Sequence, residues 1–239
     1  MRSRRDGSLS AVKRSLAAFT GRADRERYLR EVRAAAALPE HPHCVRYLRG
    51  WQQEQHFFVQ MELCPGGSLA AVLAALPPGA LLPEADVWRL ARELASGLAH
   101  CHAHDVLHLD VKPGNVFLDD GAAAKLGDFG LAILTGRGWR AEEGDGAYVA
   151  PELLNPAAMP DGSTAEPTPA ADVFSLGCTL LEAAGLRPQS ASSSLELPAG
   201  RSLHLQELLR AMTRLAPLER PSAAQVHAAA LQAERGGAD

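Results

Sequence analysis

The sequence predicts an α+β fold of two lobes, a small β-rich N-terminal lobe and a larger, mainly helical C-terminal lobe. Residues 51–61 contain the β-branched and aromatic side chains that are typical of strands. Residues 24–38 place their apolar side chains on one side, as an amphipathic helix does, and residues 84–102 repeat this spacing over a longer stretch. Within the helical part, residues 116–118 and 124–126 predict a β-hairpin around an Asp-Asp-Gly turn.

The two lobes are expected to form one domain over residues 1–235. The Pro-Gly-Gly-Ser run at residues 65–68 follows a predicted strand and predicts a hinge. This hinge divides the chain into a lobe of residues 1–63 and a lobe of residues 64–235. Residues 155–170 are rich in Ala, Pro, Gly and Ser, a composition that predicts a disordered insertion.

Composition excludes several classes of function. A net charge of −4 argues against a nucleic-acid binder and against a protein of the membrane surface. No apolar run approaches the length of a membrane span, and no apolar core follows the basic residues 1–5, as it would in a secretory signal. The four cysteines lack C-x-x-C spacing, which favours reduced cysteines of an intracellular protein. We expect a monomer.

One pair of motifs indicates chemistry. His-Leu-Asp-Val-Lys-Pro-Gly-Asn occupies residues 108–115, and Asp-Phe-Gly follows at residues 128–130. Phosphoryl transfer needs a carboxylate that orients the attacking hydroxyl, and oxygen ligands for the Mg²⁺ that neutralises the phosphates of ATP. Asp110 is the candidate for the first task, and Asn115 and Asp128 are the candidate metal ligands. Each motif alone is weak evidence, but the ordered pair predicts a protein kinase.

An ATP site is predicted from motifs on the N-terminal side. Lys13 ends an Ala-Val-Lys triplet, which is typical of the strand whose lysine pairs with the nucleotide phosphates. Glu31 is the acidic residue of the predicted helix that is best placed to hold Lys13 in an ion pair. Glu62 and Cys64 are expected to offer backbone groups to adenine, and Met61 is expected to close the back of the pocket.

Four more residues are expected to support the site without reacting. His108 directly precedes the catalytic Leu-Asp and is expected to brace the loop. Glu152 ends Ala-Pro-Glu, the triplet that closes an activation segment, and Arg220 stands where a kinase arginine pairs with that glutamate. Asp172 is expected to open a buried helix.

A metal site is the competing interpretation of a histidine cluster. His-Cys-His-Ala-His at residues 100–104, together with His108, offers five potential ligands. However, the apolar spacing of residues 84–102 makes this stretch the end of one amphipathic helix, on which the three histidines point in different directions. The helix end is the favoured interpretation.

Several stretches carry a more specific pattern. They are Ala-Val-Lys-Arg-Ser at 11–15, Arg-Glu-Val at 30–32, His-Pro-His-Cys-Val-Arg-Tyr at 41–47, Gln-Met-Glu-Leu-Cys at 60–64, Lys-Leu-Gly-Asp-Phe-Gly at 125–130, Glu-Gly-Asp at 143–145, Asp-Val-Phe-Ser-Leu-Gly at 172–177 and Leu-His-Leu-Gln-Glu-Leu-Leu at 203–209. In these stretches the chain resembles the Wee/Myt family of mitosis-inhibitor kinases. Residues 197–205 are similar to the plant and green-lineage members.

The resemblance implies a substrate and a place of action. Wee/Myt kinases phosphorylate an inhibitory tyrosine in the glycine-rich loop of a cyclin-dependent kinase and so delay mitosis. The resemblance therefore implies a cyclin-dependent kinase as the protein substrate and the nucleus as the location, with the cytoplasm as the alternative.

Two features leave other functions open. Lys112, two residues after Asp110, is typical of serine/threonine kinases, so a serine/threonine kinase similar to the initiation-factor kinases is one alternative. No G-x-G-x-x-G occurs in the chain, and only twelve residues precede Lys13. We therefore expect the chain to begin inside the second strand of the N-terminal lobe, without the first strand and the glycine-rich loop. Its nucleotide cleft should be open and its activity low, and a catalytically silent binding module is the other alternative.

Overall fold

The structure is a computed structural model that describes residues 1–2, 7–19, 21–135, 146–154, 166–186 and 196–236. Its helices and strands are, in chain order, β1 (Ser10–Arg14), α1 (Arg22–Ala37), β2 (Tyr47–Gln53), β3 (His56–Glu62), β4 (Gly67–Ser68), α2 (Leu69–Ala74), α3 (Glu84–Ala103), β5 (Val106–Leu107), β6 (Val116–Leu118), β7 (Ala124–Leu126), β8 (Ile133–Leu134), α4 (Pro151–Leu154), α5 (Pro169–Ala183), α6 (Leu203–Met212) and α7 (Ala223–Gly236).

The N-terminal lobe is an antiparallel sheet, in the order β1-β3-β2, with α1 on one face. Side chains alternate across β3 because successive residues of a strand point to opposite faces. Phe57 and Val59 are buried, and the Phe57 ring stacks at 5.6 Å on Tyr28 of α1. On the opposite face, Trp51 lies directly across from Phe58, and their rings stack at 5.2 Å. The predicted small β-rich lobe is confirmed.

The core of the C-terminal lobe is built around α3, which contacts α5, α7 and β7. The apolar spacing predicted from the sequence is confirmed, because the buried positions recur on one side of the helix. The buried apolar residues of α3 are Val87, Trp88, Leu90, Ala91, Leu94, Ala95, Leu98 and Cys101. This packing gives α3 a fixed position, and the segment of residues 108–115, here called the candidate catalytic segment, follows beyond its C-terminal end.

The two lobes are joined by backbone hydrogen bonds as well as by the hinge. The Leu126 N–H donates to the His43 carbonyl at 2.9 Å, and the Val45 N–H donates to the Leu126 carbonyl at 2.7 Å. Gly97 of α3 allows this approach, since a Cβ there would lie 2.6 Å from the His43 carbonyl oxygen. The segment between α1 and β2 is therefore held on the hairpin of the other lobe.

The predicted hairpin is confirmed with its predicted bounds, as β6 and β7 pair antiparallel from Val116 opposite Leu126 to Leu118 opposite Ala124. Asp119 shapes the turn, because its Oδ1 accepts hydrogen bonds from backbone N–H groups two and four residues later. The hairpin thus sets the separation between the residues before and after it.

One predicted boundary is wrong. The disordered insertion was expected to reach residue 170, but Pro169 and the next residue already form the first turn of α5. Proline is favoured in a first helical turn because its missing N–H has no partner there. Residues 155–165 lie outside the described part of the chain, as do residues 143–145 of the family-like pattern.

A buried ion pair ties α4 to the C-terminal end of the lobe. Both guanidinium nitrogens of Arg220 donate to the Glu152 carboxylate, at 2.7 and 2.8 Å. Arg220 also donates to three backbone carbonyls and lies 4.9 Å above the Phe174 ring. The structure thus pairs the two residues as the sequence motifs had indicated, and it leaves the buried charge with full hydrogen bonding.

Removing one member of this pair should strongly destabilise the fold. Arg220→Met leaves the Glu152 carboxylate buried without its cation, and we expect the free energy of unfolding to fall by about 3–5 kcal/mol in urea titrations. Arg214→Met is the matched control, because the Arg214 side chain is exposed and its ion pair with Glu219 is a surface contact at 3.4 Å. A loss of less than about 1 kcal/mol in Arg220→Met would contradict the importance of the pair.

Candidate active site

The segment that follows β5 is held by one buried carboxylate, that of Asp172 at the start of α5. Asp172 Oδ2 accepts from the His108 N–H at 2.9 Å, and Oδ1 accepts from the Leu109 N–H at 2.7 Å. Leu109 has a φ of +59°, a conformation that side chains other than glycine rarely adopt. The two hydrogen bonds stabilise this strained backbone and so place the next residue, Asp110.

Asp172 is fully buried, and a second partner helps it to stay ionised. His102, from the last turn of α3, lies with its Nε2 at 2.8 Å from Asp172 Oδ2. Burial raises the pKa of Asp172, but the hydrogen bond and charge of His102, together with the nearby His108, outweigh it and hold the pKa below its usual value. His102, which the sequence offered as a metal ligand, is therefore a partner of this carboxylate.

The depressed pKa of Asp172 predicts a dependence of stability on pH. A carboxylate whose pKa is lower in the folded state stabilises the fold above its unfolded pKa of about 3.9, and this contribution is lost as the pH falls further. Asp172→Asn should therefore be less stable than wild type at pH 7, and the gap should narrow below about pH 4. Urea unfolding at pH 7, 5 and 3.5 measures this difference in the free energy of unfolding, with exposed Glu219→Gln as the control. A gap that does not change with pH would contradict the assignment.

The His108 ring is buried and braces the candidate catalytic segment. Its Nε2 lies 3.1 Å from the Gly127 carbonyl, and its Nδ1 accepts from the Asp110 N–H at 3.3 Å. One ring nitrogen thus faces an acceptor and the other a donor. The ring also packs on Phe129 with 4.8 Å between centroids. These contacts connect the segment before the hairpin to the segment after it.

Asp110 lies in a small polar cluster. The amide nitrogen of Asn115 donates to Asp110 Oδ2 at 2.7 Å and to the Asp110 carbonyl at 2.8 Å. The ammonium of Lys112 lies 2.9 Å from Asp110 Oδ1. Both carboxylate oxygens are thus held in place next to a cation, as a group that positions a hydroxyl requires.

Lys13 connects the two lobes through two carboxylates. Its ammonium lies 3.2 Å from Glu31 Oε1 of α1 and 2.6 Å from Asp128 Oδ1. Burial lowers the pKa of Lys13, but the charges of Glu31 and Asp128 outweigh it and raise the pKa above its usual value. Burial likewise opposes ionisation of Asp128, while Lys13 lowers the pKa of its carboxyl. Lys13 and Asp128 therefore stay charged together.

The donor set fits a hard divalent cation. Asp128 supplies a partly exposed carboxylate. Because the amide nitrogen of Asn115 faces Asp110, its amide oxygen is the atom that remains for a metal. Carboxylate and amide oxygens suit Mg²⁺ and similar ions. Asp128 has a φ of +59°, and the Gly130 N–H donates to its Oδ1 at 3.2 Å.

The residues expected to surround adenine lie at the end of β3 or just after it. Met61 lies on β3 opposite Ala11 of β1. The Glu62 N–H donates to the Arg46 carbonyl at 2.9 Å, so only its carbonyl remains for adenine. Burial, followed by the charge of Glu62, raises the pKa of Cys64 to about 11, which keeps its thiol neutral.

Three residues make contacts within the site that the sequence did not predict. Lys125 binds the Glu62 carboxylate with its ammonium at 3.2 Å, which links the end of β3 to the hairpin. Tyr47 contacts both Glu31 and the Phe129 backbone. Lys125 and Tyr47 belong to family-like stretches of the sequence, but nothing in a single sequence indicates their contacts. The role of His102 was hidden because its partner lies 70 residues away.

Comparison with known proteins identifies the class. The protein kinase domain family matches residues 1–231 of the chain. A probable protein kinase of Dictyostelium discoideum is 38% identical over 183 residues, covering 75% of the chain and 49% of that protein. The membrane-associated tyrosine- and threonine-specific cdc2-inhibitory kinase of Drosophila melanogaster is 36% identical over 240 residues, 95% of the chain and 43% of that protein. The Wee1-like protein kinase of Arabidopsis thaliana is 34% identical over 234 residues, 93% of the chain and 44% of that protein.

The chain therefore belongs to the protein kinase family. Within that family it belongs to the Wee group, which confirms the resemblance found in the sequence. The chain spans less than half the length of each of these three relatives.

Proposed function

We propose that this chain binds ATP with Mg²⁺ and transfers the γ-phosphate to a tyrosine hydroxyl of a cyclin-dependent kinase, which would restrain entry into mitosis. The observation that carries the proposal is the connection between two charged groups, Lys13 with Asp128 and Asp110 with Asn115 and Lys112. The Gly127 N–H, directly before Asp128, donates to the Asn115 carbonyl at 2.9 Å and so holds the two groups near each other. These residues come from separate parts of the chain, and together they supply the charges that phosphoryl transfer needs.

Each residue has a defined task in this proposal. Lys13, held by Glu31, binds phosphate oxygens of ATP. Asp110 accepts a hydrogen bond from the substrate hydroxyl and takes its proton as the oxygen bonds to the γ-phosphorus and the bond to the ADP oxygen breaks. Lys112, 2.9 Å from Asp110, stabilises negative charge on the transferred group. Bound Mg²⁺, held by Asn115 and Asp128, would neutralise the charge of the phosphates.

The choice of tyrosine rests on the relatives. The Drosophila relative is named as specific for tyrosine and threonine and as inhibitory to cdc2. In the part of the chain that the structure describes, no helix is long and apolar enough to cross a membrane.

We extend the proposal to the nucleus as the place of action, which microscopy of a fluorescent fusion would test.

The transfer reaction tests the catalytic assignment. Incubation with γ-labelled ATP and a cyclin-dependent kinase complex should label the substrate, and Asp110→Asn should lower the rate by about 10²-fold or more. Nucleotide affinity should stay within about twofold, because Asp110 acts on the hydroxyl. Exposed Glu219→Gln is the control. Equal rates for wild type and Asp110→Asn would refute the assignment, and label on serine or threonine instead of tyrosine would favour the serine/threonine alternative.

Metal dependence tests the ligand assignment separately. In calorimetric titrations of ADP, raising Mg²⁺ should strengthen binding to the wild-type chain, because an ion held by Asp128 would neutralise the charge of the phosphates. Asp128→Asn should lose most of this dependence on Mg²⁺, while Glu219→Gln should keep it. A similar response to Mg²⁺ in Asp128→Asn and wild type would show that Asp128 is not a ligand.

A further inference from the structure

Tyr47, the first residue of β2, lies where α1, β2 and the Asp-Phe-Gly segment meet. Its ring packs edge-to-face against Phe129, with 5.8 Å between centroids. It borders the small core cluster that contains Ala34, Cys44 and Phe129. This apolar packing would be satisfied equally well by a phenylalanine, so the hydroxyl calls for a separate explanation.

The Tyr47 hydroxyl makes two hydrogen bonds to parts of the site that come from different lobes. It donates to Glu31 Oε1 of α1 at 3.1 Å, and it accepts from the Phe129 N–H at 3.2 Å. A phenol has one proton to donate, and Glu31 is an acceptor while the amide is a donor. The direction of both bonds is therefore fixed.

These bonds close a ring of polar contacts. Lys13 binds Glu31 at 3.2 Å and Asp128 at 2.6 Å. Asp128 is bonded covalently to Phe129, whose N–H reaches Tyr47, and Tyr47 returns to Glu31. The positions of α1 and the Asp-Phe-Gly segment are thus linked along two routes, one through Lys13 and one through Tyr47.

The phenol stays protonated while it makes these contacts. Burial raises the pKa of Tyr47 well above its usual value, and the charge of Glu31 raises it further. An ionised phenolate could not donate to Glu31, so the raised pKa of Tyr47 preserves this hydrogen bond at neutral pH. The two hydrogen bonds that run from Glu31 through the Tyr47 hydroxyl to the Phe129 N–H are called the relay below.

We propose that Tyr47 is a positioning residue of the nucleotide site, whose hydroxyl couples Glu31 to the backbone of Phe129 and so holds Lys13 and Asp128 in their binding arrangement. This goes beyond the proposed function, on which it rests only for its consequence in nucleotide binding. A ring that serves packing alone would make the hydroxyl dispensable.

Tyr47→Phe separates these two possibilities, because it keeps the ring and removes the hydroxyl. Amide hydrogen exchange of the free chain, measured by NMR, should show exchange at the Phe129 N–H that is about 3- to 10-fold faster than in wild type. Tyr28→Phe is the matched control, since Tyr28 is a tyrosine of the same lobe that contacts the sheet through its ring. It should leave the Phe129 amide unchanged. Unchanged exchange in Tyr47→Phe would overturn the proposal.

A thermodynamic cycle in nucleotide affinity gives a second readout. Tyr47→Phe should weaken binding of ADP with Mg²⁺ about 3- to 10-fold, and it should have less than about a twofold effect in a Glu31→Ala background, because the hydroxyl acts through Glu31. Equal effects in both backgrounds would overturn the coupling.

The outcomes also separate this proposal from the proposed function. If the wild-type chain binds no nucleotide, the proposed function fails, but the exchange of the Phe129 amide still decides the relay. If Tyr47→Phe does not fold, Glu31→Ala serves in its place: loss of the acceptor should speed exchange at the Phe129 amide, and an unchanged amide would overturn the relay.

Discussion

The buried carboxylate of Asp172 is the constraint on which the site depends. An ionised carboxyl without water is costly, and here the cost is offset by the His102 ring and two backbone N–H groups. Those N–H groups belong to His108 and Leu109, so stabilising the charge also determines the path of the candidate catalytic segment. The strained φ of Leu109 persists because the two hydrogen bonds to Asp172 hold the backbone in this conformation. Asp110 is thus positioned by α5, a helix that supplies none of the proposed reacting groups.

A second constraint acts between the lobes. Lys13 is the point at which strand β1, helix α1 and the Asp-Phe-Gly segment meet, since its ammonium contacts Glu31 and Asp128 together. The neighbouring charges keep Lys13 and Asp128 ionised against the effect of burial. The backbone contact of the segment before β2 with β7 limits how far the lobes can move apart. The phosphates of a bound nucleotide would compete with Glu31 and Asp128 for the Lys13 ammonium. Nucleotide binding would therefore change the contacts of this cluster directly.

Much of the fold followed from local patterns. The hairpin bounds were predictable because alternation and an Asp-Asp-Gly turn specify them over a few residues. The helix α3 was predictable because its buried residues recur at one spacing. The start of α5 was missed, since the composition before Asp172 resembled a loop while Pro169 in fact opens the helix. The candidate residues of the site were identified through motif order, whereas Tyr47 and Lys125 were not, because their partners are distant in the chain.

The sequence by itself determined the class of fold, the family and the candidate groups for phosphoryl transfer, because ordered motifs and periodic apolar residues are local properties. Only the tertiary structure decided how those groups are connected. It turned His102 from a possible metal ligand into the partner of Asp172, and it assigned the amide nitrogen of Asn115 to Asp110. It also closed a ring from Lys13 through Tyr47 to Glu31. The physical reason is that electrostatic and hydrogen-bond partners are chosen by distance in space, which a linear pattern does not record.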